Sequence, residues 1–431
     1  MSLLPLSRLL LGARSPDHPV ALSGGTPRTW AAFAAAAGWA ADQARRAGGR
    51  RWVLACPDAW DFAAGLVGLL QAGRTVALPP NFLPGTLSGL EREADGVLWE
   101  TRPGTARPAP LDGDLEFWTS GSTGEPKGVV RSVAQAEAEV ALLERAFGHL
   151  MPEGPVVGTV PHHHIYGCLF RILWPLAAGR PFLCEPAGDP AAFLRALAQP
   201  APAALVASPA HLSRLPRLMD LDTLPLAPAV VFSSGGPLSA ADAALWRCRV
   251  PAGVVEIYGS TETGGIAWRN QGPDPASAHW TPFDDVVVAY QAGALEVASF
   301  RAGPAPLRME DAAEPLPGGR FRLLGRLDRI IKLEEKRIAL PELEKALEAH
   351  PWVARAALVL LEGSRPTLGA VVVLKPGAPS ERTLLVRTLR AHLGLRFEGL
   401  ALPKRWRFPR ELPYDARGKL TPRALAGLFQ P

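Results

Sequence analysis

Four segments of the chain share one pattern, in which an apolar stretch with strand character ends in a loop of small and polar residues. The apolar stretches cover 115–118, 156–160, 230–232 and 253–257, and the loops after them read TSGSTGEPKG, PHHHIYG, SSGGPLS and YGSTETG. In open α/β sheets, ligands bind at the carboxyl ends of the strands, where backbone amides and helix N-termini face the ligand. The pattern therefore predicts an α/β fold whose four loops line one cleft.

The remainder of the chain predicts a second domain. With 431 residues, the chain exceeds the usual size of a single hydrophobic core. Near residue 326 the sequence changes to a charged, hairpin-like stretch, followed by a helix, two strands, a second helix and a basic tail. We expect a large N-terminal domain of mixed sheets flanked by helices and a small, mobile α+β domain. The predicted bounds are 1–325 for the N-terminal domain, 326–329 for a hinge and 330–431 for the C-terminal domain.

Composition limits the partners and the cellular location that the sequence predicts. The residues are 48% hydrophobic and 20% charged, as in an ordinary globular protein. The net charge of +5 is spread along the chain without a basic run, which argues against a nucleic-acid partner. The four cysteines form no CxxC pair, and no apolar run approaches eighteen residues. We therefore expect reduced thiols, no membrane insertion and a cytoplasmic location.

The loop at 119–128 has the composition of a phosphate-binding loop. It offers four hydroxyl groups, three glycines that let the backbone approach a ligand closely, and the ammonium group of Lys127. The sequence is not GxxxxGK[ST], so the fold of a P-loop nucleoside triphosphatase does not follow. A flexible surface turn is the alternative interpretation.

With these motifs in view, the chain resembles the adenylate-forming superfamily, which includes acyl- and aryl-coenzyme A synthetases, adenylation domains of nonribosomal peptide synthetases, and luciferases. Residues 119–128 match the phosphate-loop motif of that family almost residue for residue, and further motifs follow in the family order over about 28–425. In its short length, the chain resembles the compact stand-alone AMP ligases of aryl-polyene and xanthomonadin-type pathways. The resemblance implies ATP-dependent activation of a carboxylic acid as its acyl-adenylate.

The resemblance also assigns a nucleotide site. It implies that Tyr258 stacks on adenine, that Thr261 contacts the α-phosphate, and that Glu262 holds Mg²⁺. Asp311 would accept the ribose hydroxyls, although MED stands here where the family usually has TGD, and Arg326 would lie near the ribose or phosphates. The other implied ATP-binding residues are Thr119, Ser120, Gly121, Ser122, Thr123, Gly124, Lys127, Gly235, Gly236, Pro237, Gly259 and Ser260.

The segment PHHHIYG resembles the P-x-x-H-x-x-G motif of the family. The resemblance places His164 where it contacts the substrate carboxylate or shapes its pocket. Two alternatives remain open, namely structural histidines with satisfied hydrogen bonds and a metal site. Consecutive side chains of an extended segment point to opposite faces, which disfavours convergence on one metal ion.

Three C-terminal residues complete the predicted site. The motif P-x-x-x-x-G-K implies that Lys419 is the catalytic lysine, and the hinge motif implies that the backbone rotates at Asp328. Glu335 stands where the family usually has a glycine on the hairpin that faces the pantetheine channel. The basic strip 404–410 is either a solvated surface or a docking strip for an acyl-carrier protein or for coenzyme A phosphates.

These observations predict a two-step ligase. An aryl or fatty acid would react with Mg-ATP, and a thiol of coenzyme A or of a carrier-protein phosphopantetheine would then displace AMP. Three alternatives remain: a catalytically impaired nucleotide-binding regulator, a ligase with a non-thiol acceptor, and a basic nucleic-acid binder.

Overall fold

The computed structural model of the chain divides into two compact units. One unit comprises 1–288 and 297–307, and the other comprises 289–296 and 308–431. The second unit thus contains 308–325 as well as the segment predicted to form the C-terminal domain, and the predicted hinge at 326–329 remains a prediction. The structure describes residues 3–12, 14–120, 126–291, 293–333, 336–361, 367–395, 397, 399, 402–414 and 420–430.

Two β-sheets organise the first unit. The large sheet has the strand order β14-β13-β12-β11-β10-β8-β9-β1-β2, and the small sheet has the order β5-β3-β4-β6-β7. Strands β8 to β12 of the large sheet run parallel, whereas β13 and β14 are antiparallel. The strands are β1 Pro19–Ser23, β2 Thr26–Thr29, β3 Arg51–Leu54, β4 Thr75–Leu78, β5 Gly96–Leu98, β6 Asp114–Ser120, β7 Pro126–Ser132, β8 Val156–Gly158, β9 Phe182–Leu183, β10 Ala204–Ala207, β11 Val230–Ser233, β12 Val254–Ser260, β13 Gly264–Asn270 and β14 Thr281–Pro282.

Helices cover the faces of these sheets. One continuous buried cluster joins side chains of both sheets through α1, α2, α4 and α6, and a second cluster packs α7, α8 and α9 on the other face of the large sheet. Helix α4 begins with a capping box in which Ser132 and Gln135 exchange hydrogen bonds. The helices are α1 Trp30–Ala47, α2 Ala59–Gln71, α3 Pro84–Glu91, α4 Val133–Phe147, α5 Ile165–Gly167, α6 Trp174–Ala178, α7 Pro190–Leu197, α8 Pro209–Leu218 and α9 Ala240–Arg247.

The second unit combines three short sheets with helices. Strands β15 to β18 form one sheet in chain order, β19 and β20 form a hairpin, and β22 lies between β21 and β23. Helices α10 and α11 pack with β21 and β22 around a separate apolar core. The elements are β15 Val287–Gln291, β16 Ala294–Ala298, β17 Leu307–Pro315, β18 Phe321–Arg326, β19 Ile330–Leu333, β20 Lys336–Ala339, α10 Leu340–Glu348, β21 Val353–Leu361, β22 Thr367–Leu374, α11 Arg382–Gly394, β23 Arg405–Arg407 and α12 Pro422–Gly427.

The predicted mixed α/β architecture is present, but the four loops do not follow strands of one sheet. Three follow parallel strands of the large sheet, whereas the phosphate loop joins β6 to the antiparallel strand β7 in the small sheet. It is therefore the connection of a β-hairpin, since β7 returns beside β6 before helix α4 begins. In the described part of the chain, no helix is both long enough and apolar enough to cross a membrane.

Candidate active site

Three of the predicted loops meet at one edge of the large sheet. Strands β8, β10, β11 and β12 are neighbours, and their register pairs Gly158 with Val206 and Ser233 with both Ala207 and Glu256. Because parallel strands end at the same edge, the loops after β8, β11 and β12 emerge side by side. The sheet thus brings together the histidine segment, the serine-glycine loop and the YGSTET turn.

Within the histidine segment, His162 and His163 are buried side chains of the protein interior. Nε2 of His162 lies 3.3 Å from the carbonyl oxygen of Cys56. Burial, reinforced by Arg171, lowers the pKa of His162 to about 3. Burial also lowers the pKa of His163 to about 2, with a smaller contribution from His164. Both rings are therefore neutral at physiological pH and pack as structural groups.

His164 differs from its two neighbours because it is only partly buried, and it occupies the N-cap position of α5. Three residues later, Gly167 leaves no room for a side chain, since a Cβ atom there would lie 1.9 Å from the carbonyl oxygen of Pro161. Among the residues that the structure describes, no group of three His, Cys, Asp or Glu side chains could hold a metal ion. The turn therefore presents one histidine, the residue that the sequence motif indicated, at the edge of the sheet.

The chain after this turn is deeply buried and contains a π-helical segment, Cys168–Leu173, before α6. Arg171 lies within it and is 2% exposed. Its guanidinium group donates to the carbonyl oxygens of Val160 and Leu183 at 2.5 and 3.4 Å. Burial lowers the pKa of Arg171 to about 10, so the side chain remains charged at neutral pH.

The loop after β11 leaves open space beside its backbone. Gly235 has a φ of 88°, and a Cβ atom there would meet no atom within 4 Å. At Gly236 the nearest atom to such a Cβ would be 3.9 Å away. Ser234 anchors the loop to β12 by donating its hydroxyl hydrogen to the carbonyl oxygen of Ile257 at 2.9 Å. This arrangement gives a flat ligand room to lie along the two glycines.

The turn between β12 and β13 is closed by hydrogen bonds that leave its tip accessible. The backbone N–H of Ser260 donates to Oγ1 of Thr263 at 3.0 Å, and the N–H of Thr263 donates to Oγ of Ser260 at 3.2 Å. Thr261 and Glu262 lie between these residues and are half-buried. Within the described residues, the Glu262 carboxylate accepts no hydrogen bond and joins no ion pair. Its two oxygens therefore remain available to a cation.

Two other predicted residues flank this turn. The ring of Tyr258 packs against Trp280 with a centroid distance of 5.5 Å. At Gly259, a Cβ atom would lie 2.0 Å from the carbonyl oxygen of Gly264 on the facing strand. Glycine is therefore the residue that permits the close pairing of β12 with β13 at this point.

The ends of the phosphate loop are fixed by the β6–β7 hairpin. Thr119 pairs with Lys127 across the hairpin, and Ser120 pairs with Pro126. Lys127 is exposed. Gly121, Ser122, Thr123 and Gly124 lie outside the described residues, as do Glu335 and Lys419. The predicted roles of these six residues remain predictions.

The second unit contains the predicted ribose residues. Asp311 on β17 and Arg326 on β18 are direct cross-strand partners, and Arg326 forms an ion pair with Glu310. Residues directly opposite in an antiparallel pair lie on the same face. Their spacing of fifteen residues in the sequence therefore places them directly opposite each other on the two strands. Asp328 follows in the short 3₁₀ turn Leu327–Arg329.

Part of the basic strip has a structural role that the sequence did not reveal. Arg405 and Arg407 donate to the carbonyl oxygens of Phe429 and Leu428, just beyond the C-terminal end of α12, and both guanidinium groups lie over the Phe429 ring. Cations are favourable at a helix C-terminus, where carbonyl groups lack intrahelical partners. Lys404 and Arg410 are exposed.

A group of buried charged residues supports the tip of the β12–β13 turn and was missed at the sequence level. Arg131 on β7 donates to Glu139 at 3.0 Å and to the carbonyl oxygen of Thr261 at 3.4 Å. Glu139 accepts from the backbone N–H of Gly265 at 2.7 Å, and Arg301 donates to the carbonyl oxygen of Gly265 at 2.6 Å. The available signal was that Arg131 lies on the same face of its strand as the buried Val129, two residues before it.

Comparison with known proteins shows the family of the chain. The family described as AMP-binding enzyme matches residues 103–288, and the AMP-binding enzyme C-terminal domain matches 342–419. A 4-coumarate–CoA ligase from Rhodobacter capsulatus is 35% identical over 314 residues, covering 70% of this chain and 73% of that protein. The chain belongs to the AMP-binding enzyme family.

The fold of this AMP-binding enzyme is likewise that of the family. A 4-chlorobenzoate–CoA ligase from Arthrobacter is 26% identical over 396 residues, covering 82% of this chain and 74% of that protein. The crystal structure of a benzoate CoA ligase from Burkholderia xenovorans superposes with a TM-score of 0.81 at 18% identity, covering 99% of this chain and 100% of the other. The predicted fold class is thereby confirmed, and the chain is an AMP-forming acid–thiol ligase.

Proposed function

We propose that this ligase activates an aryl carboxylic acid as its acyl-adenylate and transfers the acyl group to a pantetheine thiol. The observation that carries the proposal is the convergence of three loops at one sheet edge, with the half-buried side chain of Glu262 at the tip of one of them. The histidine segment and the open backbone at Gly235 lie in the adjacent loops. This combination supplies places for an acid, a purine ring and a charged phosphate.

In the first step, an oxygen of the acid carboxylate attacks the α-phosphorus of ATP. The bond from that phosphorus to the bridging oxygen breaks, and pyrophosphate leaves. Lys127 and the hydroxyl groups of its loop bind phosphate oxygens, Thr261 contacts the α-phosphate, and Lys419 stabilises the developing negative charge. In the second step, the thiol loses its proton, its sulfur bonds to the acyl carbon, and AMP leaves.

The chemistry of Glu262 fits a magnesium ion. Mg²⁺ is commonly held by one or two carboxylates together with substrate phosphates, and the Glu262 carboxylate has no competing partner within the described residues. When bound, Mg²⁺ would neutralise negative charge on the phosphates. Glu262 would hold the ion against the phosphate groups.

Asp311 and Arg326 are the residues proposed to contact the ribose and phosphates. The Asp311 carboxylate is suited to accept hydrogen bonds from both ribose hydroxyls, and the guanidinium group of its cross-strand partner Arg326 is suited to phosphate oxygens. Arg326 also forms an exposed ion pair with Glu310. Asp328, within the proposed hinge, would absorb the backbone rotation between the two half-reactions.

An aryl acid is favoured as substrate over a fatty acid. Two relatives are named as ligases of 4-coumarate and 4-chlorobenzoate, both of which are aryl acids. A fatty acid remains the second candidate.

The acceptor is coenzyme A or the phosphopantetheine of an acyl-carrier protein. Relatives named as CoA ligases support the first acceptor. Charge distribution supports an anionic partner at the second unit, since residues 375–414 contain nine Lys and Arg against three Asp and Glu. That segment has a net charge of +6, whereas the whole chain has +5. We propose a preference for a carrier protein, because Glu335 adds bulk and charge where the family usually has glycine.

Pyrophosphate release across a panel of acids tests the proposed reaction. The panel contains benzoate, 4-chlorobenzoate, 4-coumarate and octanoate, each with Mg-ATP. We expect at least one aryl acid to support release with a kcat/KM at least tenfold above that of octanoate. Absence of acid-dependent release for every member would reject the proposed function.

Mass spectrometry of the products tests the acceptor. Coenzyme A and holo-carrier protein compete as acceptors at equal concentration, and Glu335→Gly serves as the matched variant. We expect acyl-carrier protein to predominate with the wild type and Glu335→Gly to shift the product ratio toward acyl-coenzyme A. Equal kcat/KM values for the two acceptors with the wild type would reject the carrier preference.

A further inference from the structure

A buried group of charges connects strand β7 of the small sheet to the β12–β13 turn of the large sheet. Arg131 and Glu139 are each 2% exposed, and Arg301 is fully buried. Arg131 pairs with Glu139 at 3.0 Å, and Arg301 lies 3.7 Å from the second oxygen of Glu139. Arg301 also binds Asp285 through two hydrogen bonds of 2.7 and 2.8 Å. The charges therefore neutralise one another within a continuous network.

The position of Arg131 gives this network its relevance to the site. It lies on β7, the strand that returns from the phosphate loop, four residues after Lys127. Its second terminal nitrogen donates to the carbonyl oxygen of Thr261 at 3.4 Å. Arg131 thus belongs to the hairpin proposed to hold the other phosphates, and its guanidinium group contacts the turn proposed to hold the α-phosphate.

Glu139 fixes the other side of the same turn. Its Oε1 accepts from the backbone N–H of Gly265 at 2.7 Å, and Arg301 binds the carbonyl oxygen of that same residue. Gly264 has a φ of 68°, and a Cβ atom there would lie 2.3 Å from Oε2 of Glu139. Glycine therefore leaves the space that the carboxylate occupies. Contacts to Thr261 and Gly265 bracket Glu262 on both sides along the chain.

Energetic considerations favour a positioning role for these contacts. Buried ion pairs lose much hydration, and apolar replacements of similar volume are often no less stable. Stability alone therefore gives little reason for two arginines and two carboxylates at this point. All of their contacts to the turn are made to backbone atoms, so the network sets the path of the chain and leaves the side chains of Thr261 and Glu262 available.

From this geometry we infer that Arg131 and Glu139 are positioning residues that hold the Thr261–Glu262 turn at a fixed separation from the β6–β7 hairpin. The inference rests on the proposed function, because it assigns ATP phosphates to both loops. A turn held in advance requires no reorganisation as charge develops at the α-phosphate, which favours a high kcat. Loss of the network should reduce kcat for adenylation and leave the KM for the acid nearly unchanged.

The test compares three variants with one control in acid-dependent ATP–pyrophosphate exchange. Arg131→Met removes the contact to Thr261 at similar side-chain volume, Arg131→Lys keeps the charge, and Glu139→Gln keeps an oxygen acceptor for Gly265. The control is Arg51→Met, which breaks a 2.7 Å ion pair with Glu116 within the small sheet. None of the described contacts of Arg51 reaches the β12–β13 turn.

We expect kcat of Arg131→Met to fall about tenfold or more, with smaller losses for Arg131→Lys and Glu139→Gln and little change for Arg51→Met. If Arg131→Met fails to fold, the same order of kcat values among the remaining variants supports the inference. Unchanged kcat in the folded Arg131 and Glu139 variants, with Tm reduced no more than in Arg51→Met, would overturn it. Absence of ATP–pyrophosphate exchange in the wild type would instead reject the proposed function, because no substitution is then responsible for the loss.

Discussion

The side chain of Arg171 crosses strand β8 directly over Gly158. A Cβ atom on Gly158 would lie 2.1 Å from both Cδ and Nε of Arg171. The guanidinium group then reaches the carbonyl oxygens of Val160 and Leu183, which fixes the π-helical segment against the sheet edge. A glycine in a parallel strand is therefore explained by the buried cation above it, and this contact helps to place the histidine segment.

Gly158→Ala should destabilise the protein by about 1–3 kcal/mol, because the added methyl group overlaps a buried side chain. Urea unfolding measures the effect, and Gly188→Ala is the control because its Cβ would meet nothing within 4 Å. Arg171→Ala removes the overlapping atoms, so Gly158→Ala should cost less in that background. An equal cost in both backgrounds would contradict the proposed overlap.

Gly167→Ala should impair use of the acid substrate. The new methyl group would overlap the carbonyl oxygen of Pro161 at 1.9 Å and displace the turn that carries His164. We expect the KM for the acid to rise about tenfold, with a smaller change in the KM for ATP, because the nucleotide loops follow other strands. Steady-state pyrophosphate release measures both constants. Unchanged acid KM in a folded variant would argue against a role for this turn in the acid site.

The stability of the first unit should decline as pH falls below about 6.5, the ordinary pKa of histidine. Burial lowers the pKa of His162 to about 3 and that of His163 to about 2, so the unfolded chain binds protons at these rings before the folded protein does. The free energy of unfolding is then highest above pH 6.5, and it falls by about 1.4 kcal/mol per pH unit for each proton. The decline ends below the pKa values of the folded state.

Urea unfolding at pH 7.5, 6.0 and 5.0 measures this dependence. His162→Asn should flatten the pH dependence of the free energy of unfolding by about one proton relative to the wild type. The same slope in His162→Asn and wild type would show that His162 does not remain neutral in the folded protein.

Lys419→Ala should abolish most adenylation and spare the second half-reaction. If this ammonium group bridges the attacking carboxylate and the α-phosphate, its loss should reduce acid-dependent ATP–pyrophosphate exchange by about a hundredfold or more. Thioester formation from supplied acyl-adenylate should decline much less. Arg423→Ala is the control, since Arg423 is an exposed cation on α12 close by in the sequence. An ATP–pyrophosphate exchange rate in Lys419→Ala equal to that of the wild type would reject Lys419 as the catalytic lysine.

Local motifs made the reaction type and much of the fold accessible from the sequence. The pattern of apolar stretches ending in polar loops predicted the strands that became β8, β11 and β12, because such signals depend on neighbouring residues alone. The YGSTET segment identified its own turn for the same reason, since Ser260 and Thr263 close it by hydrogen bonds within four residues. Glycine at 259 and 167 also followed the family motifs, and the structure supplies their steric reasons.

Contacts between distant segments were decided only by the tertiary structure. The phosphate loop proved to lie on a hairpin of the small sheet, and Arg131 reaches across to Thr261, 130 residues later in the chain. Arg405 and Arg407, which the sequence offered as a possible docking strip, instead bind carbonyl oxygens beyond the end of α12. A sequence pattern specifies which atoms a residue can offer, but the partner of a charge depends on which strands and helices pack together. Short motifs were therefore sufficient to predict the reaction type of this ligase. The contacts that hold the loops of the candidate site in place depend on long-range packing, so only the tertiary structure shows them.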